Sequence, residues 1–339
     1  MDNIILSVII PAYNVENYIM DLLHSIYESG IEDNKIELLV VDDGATDHTI
    51  EIIKQSEYGM KENLKIIHKE NGGHGSCINK GFRVAKGLYT RVIDGDDWVN
   101  TKTFRRYVEK LEKSEADMIV DSYSKYYVAS NESEQLSEIN QIMGNFYGSM
   151  EKVLEKLDKI FILMPMITIR TQCYIQLNRL IDEHIFYDDA EYNALCIAAT
   201  ESVEICNLNV YQYRIGRKGQ SVDFSIAARR TADLEKIIHY VLNVIEDTGL
   251  CNNTVKSKYL ERYIAKTAVN CLTLCILHKK TCEKNYRDIC EVDKKIAKKN
   301  KNVYQLMSNK KIYGKTILYF RRFKRLFYYV YPTIYRRMQ

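Results

Sequence analysis

The sequence predicts an α/β fold, with a doubly wound, mostly parallel sheet flanked by helices and with a C-terminal helical region. Two observations support this prediction. Short apolar runs alternate with segments of helical spacing through residues 6–98, and connections of this length are typical of β-α-β units. From about residue 226 to residue 300, in contrast, apolar side chains recur at helical spacing throughout. The sheet is therefore expected first and the helical region second.

Four apolar runs in the first part are predicted strands. They cover residues 6–10, 36–41, 64–67 and 88–93, and the first is almost continuously apolar, as in a parallel strand buried on both faces. The helices between them are expected to begin where a polar side chain can cap the first turn. The candidate caps are Asn14, Thr46 or Asp47, and Ser76.

After residue 98 the alternation weakens. Residues 104–111 and 153–163 have helical spacing, residues 118–120 are a fifth predicted strand, and residues 129–150 are a predicted loop or hairpin. Residues 203–205 and 210–213 are predicted to form a pair of strands. Between these parts, Asp188 and Asp189 open a helix with an apolar face.

Three polar segments follow predicted strands at residues 11–14, 42–44 and 94–97. In a doubly wound sheet, ligands bind beyond the carboxyl ends of the strands, so these segments are expected to meet at one edge. A nucleotide needs a wall for its base, an acceptor for the base N–H groups and a cation for its phosphates. The three segments together supply suitable residues for such a pocket.

The densest of these segments is the run from Asp94 to Trp98, in which Asp94, Asp96 and Asp97 crowd together. Carboxylate oxygens at this spacing suit a divalent metal, and a bound metal in turn suggests a phosphate-bearing ligand. The alternative is a polar turn in which Asp97 or Asn100 caps the next helix.

The charges and cysteines narrow the class of protein. Nine of the 48 Lys and Arg residues lie between Lys310 and Arg337, where there is no acidic residue, so the main body is mildly acidic. This argues against a nucleic-acid-binding protein with a basic body. The nine cysteines show no Cys-x-x-Cys spacing, no signal peptide is evident, and no apolar run reaches the ~20 residues of a spanning helix. We therefore expect reduced thiols and a cytoplasmic location.

Over about residues 5–222 the chain resembles the family 2 glycosyltransferases, which have the GT-A fold. The matching motifs occur in the family's order: residues 7–14 (SVIIPAYN), 40–47 (VVDDGATD), Asn71-Gly72-Gly73 with Asn79 and Gly81, 93–97 (IDGDD), Asp188-Asp189, and the segment 213–221. The chain is most similar to bacterial enzymes that build capsule, exopolysaccharide or teichoic-acid chains.

The resemblance implies an inverting transfer of a sugar from a nucleotide-diphosphate sugar, with UDP the expected nucleotide, to a hydroxyl of a glycan or a lipid-linked polysaccharide precursor. Asp189 would be the catalytic base, and Asp94 and Asp96 would hold Mn²⁺ or Mg²⁺. The implied nucleotide-sugar-binding residues are Pro11 and Tyr13 at the base, Asp43 as acceptor from the base, Asn79, Asp94, Asp96, Asp97, and Arg214 and Arg217 together with Lys218 over the diphosphate.

Three positions depart from the family pattern. Ile78 stands where family members often carry Arg, Asp188 stands where Glu is usual, and Ala190 follows the base where an aromatic residue is frequent. They put in question one phosphate or base contact and the platform for the acceptor. His68, His74 and His184 show no ligand spacing and are interpreted as structural or solvated, and His74, in the glycine-rich loop, is the one of most interest.

Other interpretations of the same residues remain open. Asp189 is also suited to cap a helix, Asp43 to a turn before Gly44, and the Arg214–Lys218 stretch to a solvated loop. A catalytically silent nucleotide-sugar-binding scaffold fits most of the motifs. A sugar nucleotidyltransferase fits less well, since its Gly-x-Gly-Thr-Arg type of loop is replaced here by residues 11–14.

The tail, residues 308–339, interleaves aromatic and aliphatic side chains with Arg and Lys. A basic amphipathic helix of this kind binds anionic membrane surfaces, which would place the enzyme at the inner face of the cell membrane. The alternative is a helix that packs on the body or on a dimer partner, and a homo-oligomer is compatible with both. The predicted domains are residues 1–222, 223–307 and 308–339.

Overall fold

The computed structural model describes residues 4–217, 231–248, 254–278, 282–309 and 316–338. The chain divides into two compact units, residues 1–218 and 219–339. Lys218 and the rest of the predicted motif to Ser221 lie outside the described residues, as does the predicted boundary at residue 222. The described part of the predicted tail domain belongs to the second unit.

The first unit is built on one sheet of ten strands. Its central order is β3-β2-β1-β4-β9-β6-β10-β5, with β7 paired to β6 and β8 paired to β10. The strands are β1 (Leu6–Ala12), β2 (Ile36–Asp42), β3 (Leu64–His68), β4 (Tyr89–Val92), β5 (Trp98–Val99), β6 (Met118–Tyr127), β7 (Glu132–Leu136), β8 (Phe146–Ser149), β9 (Ile167–Arg170) and β10 (Ser202–Ile215).

Helices cover this sheet and make up the described part of the second unit. In the first unit they are α1 (Ile19–Tyr27), α2 (Thr49–Gln55), α3 (His74–Val84), α4 (Thr101–Leu111), α5 (Glu138–Met143), α6 (Met150–Lys156), α7 (Thr171–Gln176) and α8 (Asp189–Ala199), with short 3₁₀ turns at Asp33–Lys35 and Met164–Met166. In the second unit they are α9 (Thr231–Asp247), α10 (Val255–His278), α11 (Glu283–Lys299), α12 (Lys301–Leu306), α13 (Thr316–Phe323) and α14 (Arg325–Met338).

The predicted fold class is confirmed. Strands β1 to β4 are the four predicted parallel strands, and β1 pairs in parallel with both β2 and β4. Every residue of β1 and β2 is buried, as their continuous apolar character predicts. Beyond β4 the sheet is mixed, because β9 runs antiparallel to both β4 and β6.

Several local predictions need correction. The two strands predicted near residues 203 and 210 are one strand, β10, whose pairing with β6 shifts register around Asn209. Residues 129–150 form β7, α5 and β8 rather than a simple loop or hairpin. The helix predicted from residue 153 to 163 ends at Lys156. Each register shift changes which side chains face the core, so the apolar alternation is interrupted. A single bulged strand is therefore predicted as two strands.

Two predicted helix caps are also wrong. Asn14 has a positive φ of 54° and accepts hydrogen bonds from the backbone N–H groups of Thr46 and Asp47, so it joins two loops instead of capping α1. Ser76 lies inside α3 and donates to the Gly73 carbonyl. Asn100 does cap α4, since its side chain accepts hydrogen bonds from the backbone N–H groups of Lys102 and Thr103.

The register of β1 sets the position of the polar edge. Ala12 is opposite Asp42 in β2, and Ile9 is opposite Val92 in β4, so all three strands end on the same side. The N–H of Gly95 donates to the Pro11 carbonyl at 3.2 Å, which ties the loop after β4 to the end of β1. The three polar segments therefore meet at one sheet edge, as predicted.

A buried ion pair lies beneath this edge. Arg91, on β4, and Asp121, on β6, are both fully buried, and Nη1 of Arg91 donates to Asp121 Oδ2 at 2.7 Å. The hydroxyls of Tyr107 and Thr168 also accept from this guanidinium. Since β9 separates β4 from β6, the pair ties three strands of the core together.

In the second unit, the last two helices have one buried and one exposed side. Ile317, Phe320 and Tyr328 are buried, whereas the exposed apolar residues of this segment are Phe323, Leu326, Tyr329 and Val330. Among the described residues, none of the helices combines the length and the apolar character needed to cross a membrane.

Candidate active site at the carboxyl edge of the sheet

The loop after β4 gathers three carboxylates. Asp94, Asp96 and Asp97 each place an oxygen within 4.8 Å of the others. Asp97 is fully buried and Asp96 is 8% exposed, while Asp94 is more open, with 26% of its side chain accessible. Three oxygen donors at this separation are a donor set of the kind that Mg²⁺ and Mn²⁺ use, so these residues fit a divalent cation.

The electrostatics of the loop also favour a cation. Burial raises the pKa of Asp96, and the charge of Asp94 raises it further. Burial likewise raises the pKa of Asp97 well above its usual range, and the charges of Asp96 and Asp94 add to the effect. Negative charges that destabilise one another in the absence of a cation are stabilised when one binds.

Two arginines from the end of β10 and the residues after it close one side of this loop. Arg217 donates through Nε to Asp96 Oδ2, and Arg214 donates through Nε to the Asp96 carbonyl at 2.8 Å. The Arg214 guanidinium also lies over the Trp98 ring, 4.6 Å from its centroid, and bonds to Asp21 at 2.6 Å. The structure thus brings the predicted arginines to the predicted acidic loop.

Tyr211 is a site residue that sequence reasoning missed. Its hydroxyl donates to Asp97 Oδ2 at 2.5 Å, and the backbone N–H of Arg214 donates to Asp97 Oδ1 at 2.7 Å. Both contacts depend on the antiparallel pairing of β10 with β5, which places Tyr211 opposite Val99. Nothing local in the sequence shows a pairing over more than 100 residues. Asp97 is therefore held as a support for the loop.

A second acidic pair faces the first across His74. Nε2 of His74 is 2.9 Å from Asp94 Oδ1, and Nδ1 is 3.0 Å from Asp188 Oδ2. Burial alone would lower the pKa of His74, but the carboxylates of Asp188 and Asp94 raise it well above its ordinary value. Each ring nitrogen lies within hydrogen-bonding distance of a carboxylate, a geometry that favours an imidazolium donating to both.

Asp189 is the first residue of α8, beside Asp188. Burial raises its pKa to about 6, and the charges of Asp188 and Asp94 act in the same direction, whereas His74 opposes them. A carboxylate with this pKa is ionised near neutral pH and is a stronger base than an ordinary Asp. The residue that occupies the cap position of α8 is Asp188, so the helix-cap alternative does not describe Asp189.

Asp43 is 3% exposed and organises the glycine-rich loop. Its carboxylate accepts from the backbone N–H groups of Gly72 and Gly73 at 2.8 and 2.9 Å, and from Nζ of Lys69 at 2.6 Å. The turn at Gly44 has a positive φ of 72° beside the Asn71 N–H, which suits glycine. These contacts give Asp43 a structural role, and its contact with a base stays a prediction.

The remaining predicted residues differ in exposure. Tyr13 is 50% exposed at the end of β1, where its ring is accessible, and Pro11 is buried in the strand beside it. Asn79 is 4% exposed, and its amide both donates to and accepts from the backbone of Ile181, at 2.9 Å each way. Asn79 therefore holds the loop before α8 in place, and a contact with the donor stays a prediction.

The family is decided by one further observation. A model of glycosyl transferase family 2 matches residues 7–186, which is more than half of the chain. The chain belongs to glycosyl transferase family 2. The loop after β4, the glycine-rich loop and most of the loop between α7 and Asp188 lie inside the matched region of this glycosyltransferase.

Curated relatives agree with this assignment. The glycosyltransferase is 28% identical over 218 residues to the uncharacterized glycosyltransferase EpsJ of Bacillus subtilis, a match that spans 62% of this chain and 61% of EpsJ. It is 26% identical over 302 residues to the glycosyltransferase GlyG of Streptococcus pneumoniae, which spans 84% of this chain and 94% of GlyG.

Solved structures share the fold. TarS of S. aureus, residues 1–349 in complex with UDP, superposes with a TM-score of 0.68 at 19% identity and covers 99% of this chain and 92% of that one. The complex of the same TarS fragment with UDP-GlcNAc gives a TM-score of 0.55 at 16% identity and covers 90% of each chain. A mannosyltransferase of Pyrobaculum calidifontis with GDP-Man and Mn²⁺ gives 0.51 at 14% identity, covering 90% of this chain and 84% of that one.

Proposed function

We propose that this family 2 glycosyltransferase moves a sugar from a nucleotide-diphosphate sugar, with UDP as the nucleotide, to a hydroxyl group of a glycan or a lipid-linked cell-surface polysaccharide precursor, with inversion at the anomeric carbon. The observation that carries the proposal is the pair of acidic groups on the two sides of His74. One group offers three carboxylates for a cation, and the other offers Asp189 as a base.

Asp189 is proposed to accept the proton of the acceptor hydroxyl as its oxygen attacks the anomeric carbon. The C–O bond to the diphosphate breaks as the new C–O bond forms, so the nucleoside diphosphate leaves with the electron pair. A single displacement of this kind inverts the anomeric centre, and its transition state resembles that of glycoside hydrolysis. The raised pKa of Asp189 suits proton removal near neutral pH.

Asp94 and Asp96 are proposed to hold Mn²⁺ or Mg²⁺. When bound, the ion would neutralise the negative charge of the departing diphosphate. Asp97 is bonded to Tyr211 and to the backbone N–H of Arg214, so it supports the loop. Arg217, whose Nε bonds to Asp96, and Arg214 beside it are proposed to contact the diphosphate; their bonds to Asp96 support this. The Mn²⁺ in the mannosyltransferase structure supports this choice of ion.

The nucleotide base is proposed to bind at the other end of the edge, where Tyr13 exposes its ring next to Pro11. Asp43 directly follows β2 and is proposed to accept from the base N–H. The TarS complexes with UDP and UDP-GlcNAc support UDP as the nucleotide and an N-acetylhexosamine as the sugar, and the mannosyltransferase complex with GDP-Man supports a hexose as the alternative sugar.

A donor panel with the full chain tests this proposal. Release of nucleoside diphosphate from UDP- and GDP-sugars is measured with Mn²⁺ and an acceptor mixture, for the wild type, Asp189→Asn and Glu183→Gln. Glu183 is an exposed carboxylate a few residues before the base and is the matched control. We expect turnover in the wild type and the control, and a loss of about 10²–10⁴-fold in Asp189→Asn with donor binding kept. Binding of a donor without turnover in the wild type would instead support a silent scaffold.

The exposed side of the last two helices is proposed to contact anionic membrane. Phe323, Leu326, Tyr329 and Val330 recur at helical spacing, and Arg322 and Lys324 beside them are exposed. The other side of these helices packs in the second unit, where Arg321 forms a largely buried pair with Asp293. Arg325 pairs with Glu283 at the surface. Packing on protein and membrane contact therefore use different sides of the same segment.

Vesicle flotation of the full chain tests this contact. Because residues of both helices are buried, the tail is best left in place and altered by Leu326→Glu with Val330→Glu. Phosphatidylglycerol vesicles should float the wild type and phosphatidylcholine vesicles should not, and the double variant should lose the interaction. Met60→Glu, at a site 89% exposed in the first unit, is the control. Equal flotation of all three proteins would reject the contact.

A further inference from the structure

We infer that His74 is a positioning residue that links the two acidic groups of the centre, so that its Nε2 bond orients Asp94 for the cation and its Nδ1 bond fixes Asp188 next to the base Asp189. The inference rests on the proposed function and adds a role that the predicted motifs leave unassigned. His74 is 20 residues from Asp94 and 114 residues from Asp188 along the chain.

The geometry of the ring is fully determined by these two bonds. They are 2.9 and 3.0 Å long, and they use both nitrogens of the imidazole, so the ring cannot turn without losing one of them. Because Nε2 bonds to Oδ1 of Asp94, the second oxygen of that carboxylate is left for a cation. Hydrogen bonds that orient a ligating carboxylate in this way commonly decide metal affinity.

The backbone around His74 lies close to the segment that precedes α8. The N–H of His184 donates to the Gly72 carbonyl at 2.6 Å, which docks the glycine-rich loop on the segment before α8. A Cβ on Gly75 would lie 2.8 Å from Asp188 Oδ2 and 2.7 Å from the Asp182 carbonyl. Glycine at this position therefore lets Asp188 reach the ring. The docked loop fixes His74 in relation to α8, and α8 begins with Asp189.

Two substitutions separate the two bonds. An asparagine amide nitrogen lies near the position of Nδ1, so His74→Asn can keep the bond to Asp188 and lose the bond to Asp94. A glutamine amide nitrogen lies near Nε2, so His74→Gln can keep the bond to Asp94 and lose the bond to Asp188. His74→Ala loses both. His48→Gln is the control, since His48 makes an exposed pair with Glu51 at 3.0 Å.

Two readouts follow from the two bonds. Mn²⁺ affinity, measured by calorimetry without any donor, should weaken about 10-fold or more in His74→Asn and His74→Ala and stay within about twofold of wild type in His74→Gln. The kcat at saturating Mn²⁺ and donor should fall about 10–100-fold in His74→Gln and His74→Ala. When Asp188→Asn is combined with His74→Gln, kcat should fall little further, because both substitutions remove the same hydrogen bond between His74 and Asp188.

Each outcome decides the inference. Wild-type Mn²⁺ affinity and kcat in all three variants would overturn it, and so would equal losses in the Asn and Gln variants, since the two hydrogen bonds would then have no separate effects. If the variants at position 74 fail to fold, Asp188→Asn tests the same bond and should lower kcat by a similar factor; unchanged kcat would then reject it. A wild type that transfers no sugar would reject the proposed function, while the Mn²⁺ titration would still test the Asp94 bond.

Discussion

Strand β4 carries two clusters of charge that differ in one respect. Near its middle, Arg91 meets Asp121 in a fully buried pair of one cation and one anion. Just past its end, Asp94, Asp96 and Asp97 face Asp188 and Asp189 across His74. In the described part of the chain, the cationic side chains paired with the carboxylates of the first three are His74 and Arg217, whereas Arg214 bonds to the Asp96 carbonyl and pairs with Asp21. The first cluster is balanced by its own side chains, and the second is not.

The difference separates a structural cluster from a functional one. A balanced buried pair needs no ligand, although burial still raises the pKa of Asp121 to about 7 against the effect of Arg91. An unbalanced group of carboxylates is destabilised until a cation binds. Perturbed acidic groups of this kind are typical of functional sites. Removing one carboxylate should therefore have opposite effects on stability at the two clusters.

The largest expected effect is at the balanced cluster. Asp121→Asn leaves the guanidinium of Arg91 buried without a counter-charge, and breaking a buried pair in this way costs about 3–5 kcal/mol. Denaturant unfolding should show this loss. Glu109→Gln breaks the exposed pair with Arg105 and should cost less than about 1 kcal/mol. Equal, small losses in both variants would remove the distinction between the clusters.

The next effect is at the unbalanced cluster. Asp96→Asn removes one carboxylate from a site where burial and Asp94 raise its pKa, so the melting temperature should stay constant or rise. The same change removes a proposed ligand of the cation, and kcat/KM should fall at least about 100-fold, since metal stabilisation is worth several kcal/mol. A lower melting temperature together with unchanged turnover would reverse the comparison.

A smaller effect is expected from pH. Asp189 acts as a base only when ionised, and burial raises its pKa to about 6. At saturating donor and Mn²⁺, kcat should be level above pH 7 and should fall about tenfold per unit below pH 6, because the protonated fraction grows tenfold with each unit. A profile that stays level down to pH 4.5 would show that Asp189 is not the base.

The sequence predicted the parallel half of the sheet and its polar edge because both are local. Continuous apolar runs mark β1 and β2, and each polar segment follows its strand directly. The crowding of Asp94 and Asp96 after a predicted strand indicated a divalent-metal site by itself, whereas the role of Asp189 as base came from the family resemblance. The structure places Asp94 close enough to both Asp96 and Asp189 to raise their pKa values.

What the sequence did not predict depends on contacts between distant residues. Tyr211 reaches Asp97 only because β10 pairs with β5, and Arg91 reaches Asp121 across β9. The bonds of His74 likewise need α3, the loop after β4 and the start of α8 to be in place together. Asn14 does not form the predicted helix cap, since it has a positive φ and its side chain bonds to the backbone N–H of Thr46 in the next loop.

The most direct test of the central claim is a melting-temperature screen of UDP-sugars with Mn²⁺ or Mg²⁺. A ligand that binds only the folded protein raises its melting temperature, by an amount that grows with ligand concentration over the dissociation constant. We predict a rise with a UDP-sugar only when the cation is present, and none in a variant that combines Asp94→Asn with Asp96→Asn. A rise that persists in that variant, or no rise with any UDP-sugar and either cation, would contradict the account.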